Sequence, residues 1–412
     1  MNQKKLMENF ADLVLQKGVN IQKGQEVMLR APIEGAEFAR MLAKRAYELG
    51  SKNVHINWSD DTLTHLKYEY ATESVLKTVP KWYVDMEEEF VANGAAFISI
   101  HSTDPDLLSD IDSNRVAMAN KARSEAMRNV SKQIMNDAIP WTVISIPTKA
   151  WSQKVFPEAS EEEAVIKMWE SILSMSRVDN EDPIAAWNDH NKALRKAREV
   201  LTNKQYDKLI FTAPGTHLEL GLTKGHIWHG GSAIAQTGVE FNPNMPTEEV
   251  FSMPDKYGVN GTVSSTKPLN YGGSLIDNFT LTFKDGAVVD FKAEQGEDVL
   301  KHLLEVDDGA KRLGEVALVP HKSPISESGL IFYNTLFDEN ASCHVALGKA
   351  YPTNIENGAS MDLEEMDKRG VNDSLIHVDF MIGSSEMDID GVKADGSTEA
   401  VFRKGAWAIE LE

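Results

Sequence analysis

Residues 26–146 alternate between short apolar runs and helical spacing. Residues 26–31, Glu-Val-Met-Leu-Arg-Ala, read as a strand. Residues 37–49 put Phe38, Met41, Leu42 and Ala46 on one helical face and stop at Gly50. A second strand follows at 53–58, a helix at 84–93 and a third strand at 95–100. A helical run over 113–138 leads into a fourth strand at 141–146. Strands separated by helices predict an α/β domain with a mainly parallel sheet, helices on both faces. No phosphate-binding glycine fingerprint follows the first strand, so this shape does not imply a dinucleotide. Helices at 160–176 and 183–201 come next, and the polar second one reads as a bridge between domains.

After Asp207 the pattern changes. Residues 209–212, 217–220 and 279–283 read as strands, and Lys284-Asp285-Gly286 has hairpin-turn chemistry with 287–291 returning. Residues 296–305 are helical. Strands joined by hairpins predict an α+β domain with antiparallel strands. The expected division is therefore an N-terminal α/β domain with bridging helices at 1–204 and a C-terminal α+β domain at 205–412.

One strand pattern in the second half carries chemistry. In residues 374–383, period-two alternation puts Ile376, Val378, Phe380 and Ile382 on one face. His377, Asp379 and Met381 share the other. An imidazole and a carboxylate on an apolar strand are costly to bury without a partner, and a metal ion is one such partner. A His–Asp hydrogen bond on a half-exposed strand is the alternative. Three more segments place acids or histidines beside apolar residues: Glu248 and Glu249 before Val250 and Phe251, Glu315 in line with Ala317 and Val319, and His344 seven residues before Tyr351. Exposed loop or edge acids are the alternative there. Cys343 adjoins His344, but neighbouring strand residues face opposite ways, which argues against a Cys–His dyad. The one-helix zinc-protease motif and the serine-hydrolase elbow are both absent. Imidazole with carboxylate suits zinc, cobalt or manganese rather than calcium. The ligand supply exceeds the need of one tetrahedral ion and suits two ions that share a carboxylate.

Charge narrows the partners. The net charge of −21 repels phosphate backbones and so argues against nucleic acid. It suits a protein that collects cations, whether metal or ammonium, although solubility alone also accounts for acidity. No run approaches the ~18 apolar residues of a spanning helix. The N-terminal stretch lacks a signal-peptide pattern and Cys343 is the single cysteine, so the expectation is a cytoplasmic protein without a membrane partner.

Four ordered segments resemble one known family: Asn-Met-Pro-Thr-Glu-Glu-Val-Phe at 244–251, Gly-Glu-Val-Ala-Leu-Val-Pro at 314–320, Cys-His-Val-Ala-Leu-Gly-Lys-Ala-Tyr at 343–351 and Ile-His-Val-Asp-Phe-Met-Ile-Gly at 376–383. They are similar to the aminopeptidase T family of metallopeptidases, which includes aminopeptidase S, and the likeness runs nearly end to end. The resemblance implies a homodimeric two-metal aminopeptidase that releases N-terminal residues from peptides. Carried over residue by residue, it implies Glu249, Glu315, His344, Tyr351, His377 and Asp379 as ligands of two divalent ions. Zinc or cobalt come first, with magnesium or manganese as alternatives. On this reading Glu249 or Glu315 bridges the ions, Glu248 is a candidate proton carrier and Tyr351 a weak ligand or oxyanion donor. The rival expectations are a metal-dependent amidohydrolase of small amides and a non-catalytic protein that binds peptide or metal.

Overall fold

The computed structural model describes residues 3–411. They form two compact units. The first takes the chain up to Ile111, then Ala126–Lys192 and Gly231–Thr247. The second takes Asp112–Glu125, Ala193–Gly230 and the chain from Glu248 onward.

The first unit is built on a parallel sheet in the order Asn53–Ser59, Glu26–Pro32, Ala96–Ile100, Trp141–Ile144. The centre strands are largely apolar because both faces are covered: Val27–Leu29 and every residue of Ala96–Ile100 are buried. The edge strand Asn53–Ser59 has no buried residue and keeps polar His55 and Asn57. At the opposite edge Val143 N–H donates to the Pro243 carbonyl at 2.7 Å, and Met245 N–H to the Val143 carbonyl at 3.0 Å. The helical run expected over 113–138 is two helices, Ser113–Ala126 and Arg128–Met135. Met127 and Val130 pack with Val91 and Phe97 in the first unit, whereas Asp112–Glu125 belongs to the second. The chain breaks there because its two halves serve different cores.

His190 gives this unit a pH-dependent element. Its Nε2–H donates to the Thr247 carbonyl at 2.6 Å, and its Nδ1 accepts from Arg177 at 3.2 Å. Burial, then the Arg177 charge, holds its pKa down to about 4 against the Thr247 carbonyl. The neutral ring therefore contributes its full stability above its ordinary 6.5 and loses it as pH falls toward about 4. Between about pH 7.5 and about pH 4.5 the urea midpoint should fall further for the wild type than for His190→Gln. Equal falls would remove His190 as the cause.

The second unit holds, among the described residues, a nine-stranded and a four-stranded sheet. In the larger one Ser274–Lys284 returns through Ala287–Gln295. Asp285 and Gly286 take φ of 49° and 80°, as a two-residue hairpin turn requires. The smaller sheet is antiparallel, in the order His377–Met381, His344–Gly348, Leu313–Leu318, Val250–Ser252. Val250, Val316, Leu318, Val345, Leu347 and Phe380 join one large apolar cluster with Leu218, Phe279 and Val401. Full burial of such a side chain contributes roughly 1.5–3 kcal/mol. A one-residue slip would exchange the two faces of a strand, so this core also fixes where the polar face points.

Candidate metal centre

The polar face of the four-stranded sheet collects the chemistry. Asp379 pairs across Ala346 with Glu315, Gly348 pairs with His377, and Ala317 lies opposite His344. Between the two carboxylates Ala346 presents only a methyl group. Gly348 is required where it stands: its φ is +103°, and a Cβ would lie 2.2 Å from the Ile376 carbonyl oxygen. This close approach seats Lys349 N–H on the Ile376 carbonyl at 2.7 Å and the Lys349 carbonyl on His377.

Both histidines are oriented by backbone. A carbonyl only accepts, so His344 Nδ1–H donates to the Ser342 carbonyl at 3.1 Å and His377 Nδ1–H to that of Lys349 at 2.6 Å. Each Nε2 then faces carboxylates. His344 Nε2 lies 3.0 Å from Glu249 and 3.5 Å from Glu315 Oε1. His377 Nε2 lies 3.6 Å from Glu315 Oε2 and 3.5 Å from Asp379. Three groups of ligand atoms, each within 4.8 Å, result: Glu249, Glu315, His344; Glu315, His377, Asp379; and Glu339, His344, Asp379.

These residues fit a metal. Glu249 Oε2, His344 Nε2 and Asp379 Oδ1 are buried and have no partner in hydrogen-bond geometry, although Glu249 Oε2 and His344 Nε2 come within 3.0 Å. Buried polar atoms aimed at a common volume without hydrogen bonds call for a cation. Charge gives the same answer. Four buried carboxylates, Glu249, Glu315, Glu339 and Asp379, surround two histidines, leaving a deficit of positive charge even with both rings protonated.

Titration follows that crowding. Burial first, then Asp379 and Glu249, pushes Glu315 up to about 7, with His344 and His377 opposing. Burial also raises Glu339 well above the carboxylate range, helped by Asp379 and Glu249. For His377 burial acts in the lowering direction, but Asp379 and Glu315 raise it to about 9. Burial likewise opposes His344, which Glu249 and Glu315 hold well above the imidazole range. Asp379 is lowered by His377 against the cost of burial.

Tyr351 packs edge-on to His377, ring centroids 5.1 Å apart. Burial and then the Glu315 and Asp379 charges raise its hydroxyl pKa far above the ordinary value, so it stays protonated and can donate. Glu248 is buried and its N–H donates to Asn340 Oδ1 at 2.7 Å, but it lies outside the three ligand groups. Glu339 is the residue that sequence reasoning missed. It lies in the short helical turn Glu339–Ala341, where the sequence carries no strand alternation to mark a buried acid. Its neighbour Asp338 is buried for structure, accepting from Phe332 and Asn334 N–H at 3.0 and 3.1 Å.

A buried cluster of imidazoles and carboxylates on an antiparallel sheet is a candidate metal centre, with the donor set that metal-dependent hydrolases use. The sequence matches the family described as thermophilic metalloprotease (M29) over residues 3–407. Aminopeptidase 2 of Geobacillus stearothermophilus is 57% identical over 407 residues, covering 99% of this chain and 98% of that one. Aminopeptidase AmpS of Bacillus subtilis is 50% identical over 402 residues, 98% of each. The structure of wild-type AmpT from Thermus thermophilus superposes with a TM-score of 0.90 at 40% identity, covering 98% of this chain and 100% of that one. The chain belongs to the M29 family: it is a metallopeptidase, and the aminopeptidase names of its relatives put it in the exopeptidase class. The α/β unit with a parallel sheet and the antiparallel second unit are the expected fold. The family implies a divalent metal, for which the ligand groups above are the candidates. Among the described residues no helix is long and apolar enough to cross a membrane.

Proposed function

We propose that this chain is a two-metal aminopeptidase in which Glu315 would help to hold both ions. The observation that carries the reading is that Glu315 presents Oε1 toward His344 and Oε2 toward His377. Glu249 and His344 would then hold one ion, and His377 and Asp379 the other, with Glu339 placed near His344 and Asp379. Zinc or cobalt suits these donors best. Bound there, the ions supply an activated water and charge to polarise the scissile carbonyl.

The chain's own residues do the rest. The Tyr351 hydroxyl donates to the oxygen that becomes negative. Glu248 carries the proton from water to the leaving amine. Glu339 is a second candidate for that role: Asn340 Nδ2 donates to it at 3.4 Å, and its raised pKa suits a group that holds a proton. A carboxylate of the same cluster pairs with the substrate's α-ammonium. The substrates are peptides with a free N-terminus, and the protein works as a homodimer in the cytoplasm. In support of a second copy, the helix Asp61–Tyr70 buries none of its residues yet exposes Leu63, Leu66 and Tyr70.

A site that pairs with a free amine rejects its acylated analogue strongly. Hydrolysis of an N-acetylated peptide should be slower than that of the free peptide by at least about 10³-fold. Elemental analysis of the purified protein should give two ions per chain. Equal rates on both peptides would favour an amidohydrolase of broader scope, and one ion per chain would end the two-ion reading.

A further inference from the structure

A strap at 226–230 bonds to two of the segments that carry candidate ligands. His229 is its middle. The backbone N–H of His229 donates to the Phe251 carbonyl at 2.8 Å, and Phe251 N–H returns to the His229 carbonyl at 2.9 Å. Phe251 is two residues past Glu249. On its other side, His229 Nε2–H donates to the Thr353 carbonyl at 2.8 Å, two residues past Tyr351. The rings of His229, Phe251, Tyr351 and His377 form a continuous row, with centroid separations of 6.0, 5.6 and 5.1 Å.

The strap is itself anchored and tightly fitted. Arg198 donates to the Gly230 carbonyl at 3.3 Å, Gln205 to that of His226 at 2.9 Å, and Trp228 N–H to Thr202 Oγ1 at 2.9 Å. Gly230 takes φ of +156°, and a Cβ there would lie 2.6 Å from the Glu249 carbonyl oxygen. The strap backbone therefore presses directly on the peptide that carries Glu249. Asn354 locks the remaining edge, donating to the carbonyls of Ile227 at 3.1 Å and Phe251 at 3.2 Å.

We propose that His229 is a positioning residue for the centre: its backbone sets Glu249, its Nε2–H sets the turn bearing Tyr351, and it thereby fixes the spacing between them. This rests on the reading of Glu249 and Tyr351 as members of the metal centre. Burial keeps the ring below its ordinary pKa and hence neutral, with a single N–H to give. That proton is on Nε2, where the Thr353 carbonyl needs it.

The chemistry separates this role from simple packing. His229→Phe keeps a ring in the row but removes the donor. His229→Gln removes the ring but can place an amide N–H where Nε2 was. Outer partners that orient metal ligands typically contribute 10–100-fold in metal affinity or activity. His229→Phe should therefore weaken zinc binding, read by competition with a chromogenic chelator, by roughly 10–100-fold and lower kcat with it. His229→Gln should recover most of both. If His229→Phe does not fold, His229→Asn, whose amide is too short to reach Thr353, takes its place.

Unchanged zinc affinity and kcat in the donor-less variant would overturn the proposal. So would a Gln variant as impaired as the Phe variant, which would assign the ring to packing alone. Glu249→Gln serves as the separate control. If it binds zinc as the wild type does, the underlying reading of the centre fails whatever His229 does.

Discussion

Glu315→Gln should hold at most one ion per chain and lose far more than the roughly 10–100-fold in activity that follows removal of a mere orienting partner. The substitution keeps the shape of the side chain and removes its charge. Glu315 is buried in the strand Leu313–Leu318, with its backbone fixed by neighbours on both sides. The fold has little reason to change, because an amide is cheaper to bury than a carboxylate. The centre has every reason to change, because one oxygen faces His344 and the other faces His377. An amide offers one oxygen and an N–H, and the N–H repels a cation. Elemental analysis with steady-state rates on an aminoacyl chromogenic substrate checks this. A variant with two ions and wild-type turnover would refute this role for Glu315.

The strand His377–Met381 illustrates how far the sequence could be read. Alternation alone placed His377 and Asp379 on the face opposite Val378 and Phe380, and the structure agrees because Phe380 and Val345 are core on the other side. Alternation could not say which strands lie beside them. The pairings Glu315 with Ala346 and Ala346 with Asp379 are non-local and depend on register, which no single segment encodes. The parallel sheet of the first unit was legible because its short strands alternate with helices and its centre strands are largely apolar. The assignment of 112–125 and 231–247 to units other than those of their chain neighbours was not, since local pattern carries no information about which core a segment joins. Glu339 escaped because it sits in a short helical turn, where no alternation exposes a buried acid. His229 escaped because a histidine in a glycine-flanked loop looks like any other until its partners are known.

Stripping the metal should abolish peptide hydrolysis, and zinc or cobalt should restore it. The physical reason lies in the imbalance of buried charge. Glu249, Glu315, Glu339 and Asp379 are all less than 10% exposed, and only His344 and His377 stand among them as bases. Without a cation such a cluster must take up protons or water, and either costs free energy. The ion therefore stabilises the fold as well as the reaction. With free metal at about 1,000 times its Kd, linkage contributes about 4 kcal/mol to the native state for each ion bound. For a unit of roughly 200 residues that corresponds to a shift in Tm on the order of 10 °C. Calorimetry of the chelator-treated protein should show an unfolding transition moved down by that amount. Calcium should restore neither property, because two imidazoles are poor ligands for it. Full turnover by protein shown by elemental analysis to be free of metal would sink the whole reading. A loss of activity with an unmoved Tm would place the ion outside the buried cluster and return Glu315, His344, His377 and Asp379 to a structural role.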